Sequence, residues 1–211
     1  MSALSPLKPY LFFRFLKKNK YKDASYFYRS FFSIKNINYY LLLFEELKRK
    51  KVVTTENEIF FTSKFKFGST IRSVKSGLKD DFHTVKTLCG TVILYSKTII
   101  GSDKVILELH FYKKKLVLFR YTFSNMNNKR KIESILREKY LNIDSNICFS
   151  ESAINDSHGN SIFVDDKVNF SVLYFSFNFE FHDYIMNLKK INEEKILAEK
   201  LNWKAEIMKR L

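Results

Sequence analysis

The sequence predicts an α+β fold in which helices pack on an antiparallel sheet. Two observations support this prediction: a pair of alternating segments between residues 103 and 123, and helical patterns before and after them. Apolar residues make up 45% of the 211 residues and aromatic residues 17%. A chain of this length and composition can bury a core without disulfides or metals, as one large domain or two small ones.

The clearest pattern is an antiparallel hairpin. Its first strand places on one face Val105, Leu107, Leu109 and Phe111, and on the other Glu108, His110 and Tyr112. Its second strand alternates in the same way, with Val117, Phe119, Tyr121 and Phe123 opposite Leu118, Arg120 and Thr122. The hairpin therefore has one dry face that further strands or a helix must complete, and the face with Glu108 is expected to be solvated.

Three helices are predicted in the first 50 residues. The first follows Pro6 and Pro9, and the second begins at the N-cap residue Asp23. The third starts near Asn36 and has at helical spacing the apolar residues Ile37, Tyr40, Leu41, Phe44 and Leu47. A short hairpin is expected next, with Val52 to Thr54 as one strand and Ile59 to Phe61 as the other.

Helices followed by a small hairpin resemble a winged-helix module over about residues 23 to 63. The segment LLFEELKRKKVVTTENEIFFT is similar to the last helix and wing of such modules. A helix that reads bases needs polar or basic side chains on its outward face, whereas this one offers Tyr39, Leu42, Leu43 and Glu46. The resemblance therefore implies docking on protein, or on a nucleic-acid backbone without sequence readout.

The rest of the chain predicts further strands and helices. Ser69 is the expected cap of a short helix after Gly68, and strands are expected at residues 82 to 88 and 91 to 96. A helix is expected after Asn128, and its buried side should contain Ile132, Ile135, Leu136 and Tyr140. Strands are also expected around Ile162 and Val164 and over Val168 to Phe181, the latter central and covered on two sides.

Residues 1 to 63 are predicted to form a basic helical domain, residues 64 to 182 an antiparallel α+β domain and residues 183 to 211 a C-terminal helix. The helical run from Met186 to Leu211 has two apolar stripes. One contains Leu197, Leu201, Met208 and Leu211, and the other contains Ile196, Trp203 and Ile207. On one interpretation, one stripe packs on the sheet or on the N-terminal helices while the other stays partly exposed. On the other interpretation, the second stripe binds a partner.

The net charge of +15 is concentrated near the N-terminus, because residues 1 to 80 hold 17 Lys or Arg and only 6 Asp or Glu. Such a balance favours polyanionic partners, although a compositional bias toward Lys throughout the chain explains it equally well. The candidate contacts are Lys17, Lys18, Lys20, Lys22, Lys48, Arg49, Lys50, Lys51, Lys64 and Lys66.

Patterns for catalysis are weak. The four histidines lack metal-ligand spacing, and the five glycines form no phosphate-binding loop. Asp103, Glu108 and His110 are similar to the acid constellation of metal-dependent nucleases, but a solvated strand face explains them better. Asp156 and His158 are an acid/base pair or, more simply, turn residues. We therefore expect a non-enzyme without cofactor or metal.

The sequence favours a protein-interaction module with a basic surface for an acidic partner: an adaptor, an immunity or inhibitor protein, or an assembly component. Nucleic-acid binding through the N-terminal third is the alternative, and peripheral membrane attachment through Tyr10 to Lys20 is the second. Cys89 and Cys148 are far apart, and no signal peptide or membrane span is recognisable, so a cytoplasmic protein is expected. The oligomeric state stays open.

Overall fold

A computed structural model describes residues 37–78, 81–87, 89–124, 126–141, 147–166 and 169–211 of the chain. The first two predicted helices, the segment from Tyr10 to Lys20 and the candidate contacts Lys17, Lys18, Lys20 and Lys22 lie outside these residues.

Among the described residues, an eight-stranded sheet dominates the fold. The strands are β1 Lys51–Thr54, β2 His83–Lys86, β3 Thr91–Ile100, β4 Asp103–Tyr112, β5 Lys115–Phe123, β6 Ser152–Asn155, β7 Asn160–Asp165 and β8 Ser171–Ser176. Their order is β1-β6-β7-β8-β5-β4-β3-β2, and every neighbouring pair is antiparallel except β1 with β6. The predicted α+β class is confirmed.

Helices cover both faces of this sheet. In the described part of the chain they are α1 Asn38–Arg49, α2 Ile71–Leu78, α3 Lys129–Tyr140 and α4 Phe179–Arg210, and a 3-10 turn at Met126–Asn128 precedes α3. One face packs against α1 and the first turns of α4. The other packs against α2, α3 and the connection that contains Ile59, Phe61 and Phe65. The sheet is thus the middle layer of three.

The predicted hairpin is confirmed as β4 and β5. Its two-residue turn, Lys113 and Lys114, has positive φ values of 47° and 66°, the conformation whose twist matches that of the flanking strands. A bulge opposite His110 and Phe111 inserts Val117, which packs on the α1 face although alternation places it with Phe119.

The hairpin predicted over residues 52 to 61 was wrong. β1 pairs instead in parallel with β6, and the Lys51 amide donates to the Glu151 carbonyl at 2.9 Å. Ile59 turns into the core, and its amide donates to Asp156 Oδ2 at 2.9 Å. The partner strand lies about 100 residues away, so local alternation could not reveal it.

The predicted strand from residue 168 to 181 was too long. β8 ends at Ser176, and α4 begins at Phe179 because the Asn178 side chain accepts a hydrogen bond from the Phe181 amide at 3.0 Å. Phe177 continues the apolar run without entering the core.

Two details of the predicted short helices also differ. Thr70, rather than Ser69, caps α2, since its hydroxyl accepts from the Ser73 amide at 3.2 Å. Ile135 of α3 is exposed, whereas Leu136 is buried. A Cβ on Gly77 would clash with the Phe65 ring, so this glycine lets a buried aromatic side chain pack directly against α2.

Candidate functional site: the projecting C-terminal helix

Helix α4 is longer than the body of the protein can cover. Its 32 residues extend for about 48 Å at 1.5 Å per residue. Only Phe181 and Ile185 are buried along it, and Tyr184 and Leu188 are partly buried against the same cluster. Residues 189–211, which we call the arm, therefore extend beyond the sheet.

Aromatic packing anchors the first turns of α4. The Phe181 ring lies edge-on to Tyr40 of α1 at 5.1 Å between centroids, and 5.1 Å from Tyr112 of β4. Tyr184 adds a second contact to Tyr112 at the same distance. The arm is consequently an extension of a firmly packed helix, which fixes its direction relative to the sheet.

The arm exposes many large apolar side chains. They are Ile191, Ile196, Leu197, Leu201, Trp203, Ile207, Met208 and Leu211. Trp203 is 68% exposed, and Leu197 and Leu201 are each 58% exposed. Single exposed apolar residues are ordinary, but a run of this length along one helix is typical of an interaction surface.

The two predicted stripes lie on different sides of the arm. The outer stripe faces away from the body and consists of Leu197, Leu201, Met208 and Leu211. Leu188 packs against the body, and Leu197 follows it by nine residues, or two and a half turns, so these two side chains lie on opposite sides of the helix. The inner stripe, Ile196, Trp203 and Ile207, continues the side of Ile185, about three turns further on. All seven side chains are exposed, so neither stripe is packed on the sheet.

Local interactions stabilise the helical conformation of the arm. It contains no Gly or Pro, and three Lys to Glu pairs one turn apart lie at 3.9 to 4.0 Å: Lys189 with Glu193, Lys190 with Glu194 and Lys195 with Glu199. Exposed pairs of this kind each contribute only about 0.3 to 0.5 kcal/mol. The arm thus has high helix propensity and little tertiary support.

The described members of the predicted basic patch do not form one surface. Arg49 and Lys51 are exposed and Lys48 lies 3.8 Å from Glu45, at the end of α1 and the start of the edge strand β1. Lys50 is half-buried and donates to the Ser150 carbonyl at 2.8 Å, a structural role.

The other two described residues of the predicted basic patch, Lys64 and Lys66, lie away from β1. Lys64 lies above the ring of Phe65, and Lys66 is paired with Glu58 at 2.6 Å. Phe65 belongs to the cluster that packs on β5, and three strands separate β5 from β1, a distance of roughly 19 Å.

A different basic surface was missed by the sequence analysis. Arg72, Lys75 and Lys114 line a shallow depression of about 690 Å³, together with the small or apolar residues Thr70, Ile71 and Ser76. None of its described lining residues is acidic. Its members come from α2 and the β4–β5 turn, and they are brought together by the pairing of Thr70 with Lys115 and by the Ile71 amide, which donates to the Lys114 carbonyl at 3.2 Å.

The mixed face of the central hairpin is buried, so its predicted solvation was wrong. Glu108 is 6% exposed and His110 is fully buried beneath α1. The Tyr40 hydroxyl bonds His110 Nδ1 at 2.9 Å and Thr91 Oγ1 at 3.0 Å, and His110 Nε2 lies 3.5 Å from Glu108 Oε2.

This buried network does not form a nuclease-like site. Asp103 is held elsewhere, with both carboxylate oxygens 2.7 Å from the Asn128 amide. Among the described residues, no group of three or more His, Cys, Asp or Glu side chains is arranged to hold a metal ion.

Burial lowers the pKa of His110 below its ordinary value, since the charged ring would lose its hydration. Glu108 opposes this change and Arg120 adds to it. A neutral ring that accepts from Tyr40 at Nδ1 has its proton on Nε2, the atom facing Glu108. Tyr39 stacks on the ring at 5.7 Å, so α1 closes the network from above.

We expect stability to fall as the pH drops through the titration range of an ordinary histidine. The unfolded chain takes up a proton near pH 6.5 and the folded chain does so only at lower pH, so stability should fall between these two pKa values with a slope of at most about 1.4 kcal/mol per pH unit. Urea unfolding at pH 7.5 and 5.5 measures it. A His110→Gln variant should lose this dependence, and an equal slope in both proteins would contradict the assignment.

Asp156 and His158 form a turn and not an acid/base pair. Asp156 accepts four hydrogen bonds, from the amides of Ile59, His158 and Asn160 and from the Asn160 side chain, at 2.8 to 2.9 Å. Burial alone would raise the pKa of Asp156, but these hydrogen bonds hold it below its ordinary value. The interaction with His158 is through its backbone amide, and the imidazole is exposed.

None of the helices in the described part of the chain combines the length and the apolar character needed to cross a membrane. Comparison with family models, with curated proteins and with solved structures finds no match to this chain.

Proposed function

We propose that this chain is a non-enzymatic protein-interaction module, of the adaptor, immunity or inhibitor, or assembly-component kind, and that its arm binds the partner. The observation that carries the proposal is the inner stripe: Ile196, Trp203 and Ile207 are exposed on a helix anchored at its base. Apolar side chains spaced along one helix side are what a partner groove recognises.

Trp203 is the expected centre of the contact. Tryptophan is enriched among the interface residues that contribute most to binding, because it buries a large apolar area with few rotatable bonds. The anchored helix presents Trp203 without a folding step, which reduces the entropy lost on binding.

The charge of the arm favours an acidic partner. Residues 189–211 contain seven Lys or Arg and four Glu. Lys200 precedes Trp203 by one turn, so a basic side chain borders the inner stripe. A groove with acidic residues at its rim would match this arrangement and bind faster at low salt.

Affinity capture from the native host, in low and high salt and with nuclease, tests the proposal. Trp203→Ala should weaken binding of the captured partner at least about 30-fold, the loss expected for a central interface residue. Glu199→Ala is the matched control on the same helix, and circular dichroism should show equal helix content. Equal binding by wild type, Trp203→Ala and a chain lacking residues 196–211 would contradict the proposal.

Nucleic-acid binding is a second candidate, favoured by the depression lined by Arg72, Lys75 and Lys114, whose described lining residues include no acid. Such a surface attracts phosphates without reading sequence, and binding should weaken steeply with salt. Arg72→Glu with Lys114→Glu should abolish gel retardation of duplex DNA or RNA, whereas Lys97→Glu with Lys131→Glu should not. No retardation by wild type at about 50 mM salt would exclude this candidate.

A further inference from the structure

We propose that two copies of this chain pair through the outer stripes of their arms, as an antiparallel two-helix coiled coil. This inference goes beyond the proposed function, because it uses the side of the arm opposite the body and leaves Trp203 free for another protein. Its basis is the spacing of the outer stripe and the order of charges within it.

The outer stripe has the spacing of a coiled-coil seam. Leu197, Leu201, Lys204, Met208 and Leu211 follow one another at alternating steps of four and three residues. The same spacing continues toward the body through Glu194, Lys190 and Asn187. The seam is therefore apolar in most of its outer half and charged in its inner half.

The charges in the seam complement an inverted copy of the same helix. Glu194 and Lys204 are placed symmetrically about residue 199. When two arms run antiparallel about that point, Leu197 faces Leu201 of the second copy and Glu194 faces Lys204. By symmetry each contact occurs twice, so one register supplies two Leu layers and two opposite-charge layers.

A parallel pairing lacks this complementarity. In register, it would place Glu194 against Glu194 and Lys204 against Lys204, and like charges facing each other in a seam are destabilising. In the antiparallel register, Lys190 of one copy meets Met208 of the other. The aliphatic stem of the lysine can cover the methionine side chain while its ammonium group reaches water.

The antiparallel register also fits the position of the body. Residue 211 of one arm faces Asn187 of the other, an exposed residue at the point where α4 leaves its core contacts. The overlap is about 36 Å long. The two bodies then lie at opposite ends and on opposite sides of the pair, which keeps two chains of net charge +15 apart.

The flanks of the seam are compatible with close approach. The two Ala198 side chains, one from each copy, meet on one flank near the symmetry axis, where small side chains let the backbones pack closely. Lys200 of the two copies meet on the other flank, where long side chains can extend into solvent. Trp203 is six residues from Leu197, about 120° away from the seam, and remains accessible.

Sedimentation velocity of the full chain over a concentration series tests the pairing. We expect a reversible dimer, and Leu197→Glu with Leu201→Glu should make the chain monomeric. Ile196→Glu with Trp203→Glu, on the inner stripe, should leave the dimer intact while abolishing partner binding. A wild-type chain that is monomeric throughout, or a dimer that the outer-stripe variant does not disturb, would overturn the inference.

Charge exchange tests the register. Glu194→Lys and Lys204→Glu should each weaken the dimer about tenfold, because each replaces two attractive contacts by repulsive ones. The double variant should return to within about threefold of wild type. Failure of the double variant to recover would exclude this antiparallel register. A monomer that still binds the partner through Trp203 would leave the proposed function standing, so the two failures can be told apart.

Discussion

Replacing Glu108 with leucine should lower the free energy of unfolding by about 2 to 3 kcal/mol, because the half-buried Arg120 and the buried His110 both lose the carboxylate that faces them. Glu108 lies directly opposite the half-buried Arg120 in the β4–β5 pairing. Burial lowers the pKa of that guanidinium, and Tyr39, Glu108 and Asp165 together raise it. Without Glu108 the positive charge would keep fewer compensating partners, and His110 Nε2 would lose the carboxylate oxygen that it faces at 3.5 Å. Urea unfolding measures the loss.

The matched control is the second half of the pair. Arg120→Leu in the Glu108→Leu background should recover part of the stability, because two apolar side chains can replace a buried pair at little cost. If the double variant loses more stability than the two single variants lose together, this account of the pair is contradicted. Arg120 also donates to Ser171 Oγ at 3.0 Å, so recovery should be incomplete.

Phe181→Ala should destabilise the fold by about 3 to 5 kcal/mol, the range for truncating a fully buried phenylalanine. The ring fills the space between α1 and β4, in contact with Tyr40 and Tyr112. Its removal would also loosen the base of the arm. Hydrogen exchange in the first turns of α4 should therefore increase more than in the central strands.

Phe179→Ala is the matched control, since that ring is 74% exposed in the same turn of the same helix. It should change stability by less than about 0.5 kcal/mol. Equal losses from the two substitutions would show that the helix is not anchored through Phe181.

The elements predicted correctly from sequence are those with strong local periodicity. Alternation over residues 103 to 123 and the helical spacing of Tyr40 and Phe44 each identify an element from neighbouring residues alone. The parallel pairing of β1 with β6 was missed because its partner is about 100 residues away. The boundary of β8 was missed because the cap residue, Asn178, lies within an apolar run.

The burial of Glu108 and His110 could have been inferred from longer-range consistency. Ile93 and Tyr95 of β3 lie opposite these residues in register and are buried with them. The apolar side of α1 also needs a sheet face to cover. Alternation within one strand shows which residues share a face, but whether that face is dry depends on what packs there.

For the candidate site, sequence spacing groups the exposed apolar side chains of the helix into two stripes but does not show what surrounds them. That environment depends on where the body ends, and the end of the body is set by Phe181, Ile185 and Leu188 near the start of the helix. Periodicity continues unchanged past that point, so only the tertiary structure separates the anchored turns from the arm.

Fluorescence of Trp203, the one tryptophan in the chain, tests most directly whether the arm stands free of the body. In dilute protein, at a concentration where sedimentation shows the monomer, we predict long-wavelength emission and acrylamide quenching close to that of a free tryptophan analogue. The same readout should hold in the antiparallel dimer. Blue-shifted emission and strong protection from acrylamide in the isolated monomer would contradict the account, because the arm would then be packed against its own chain.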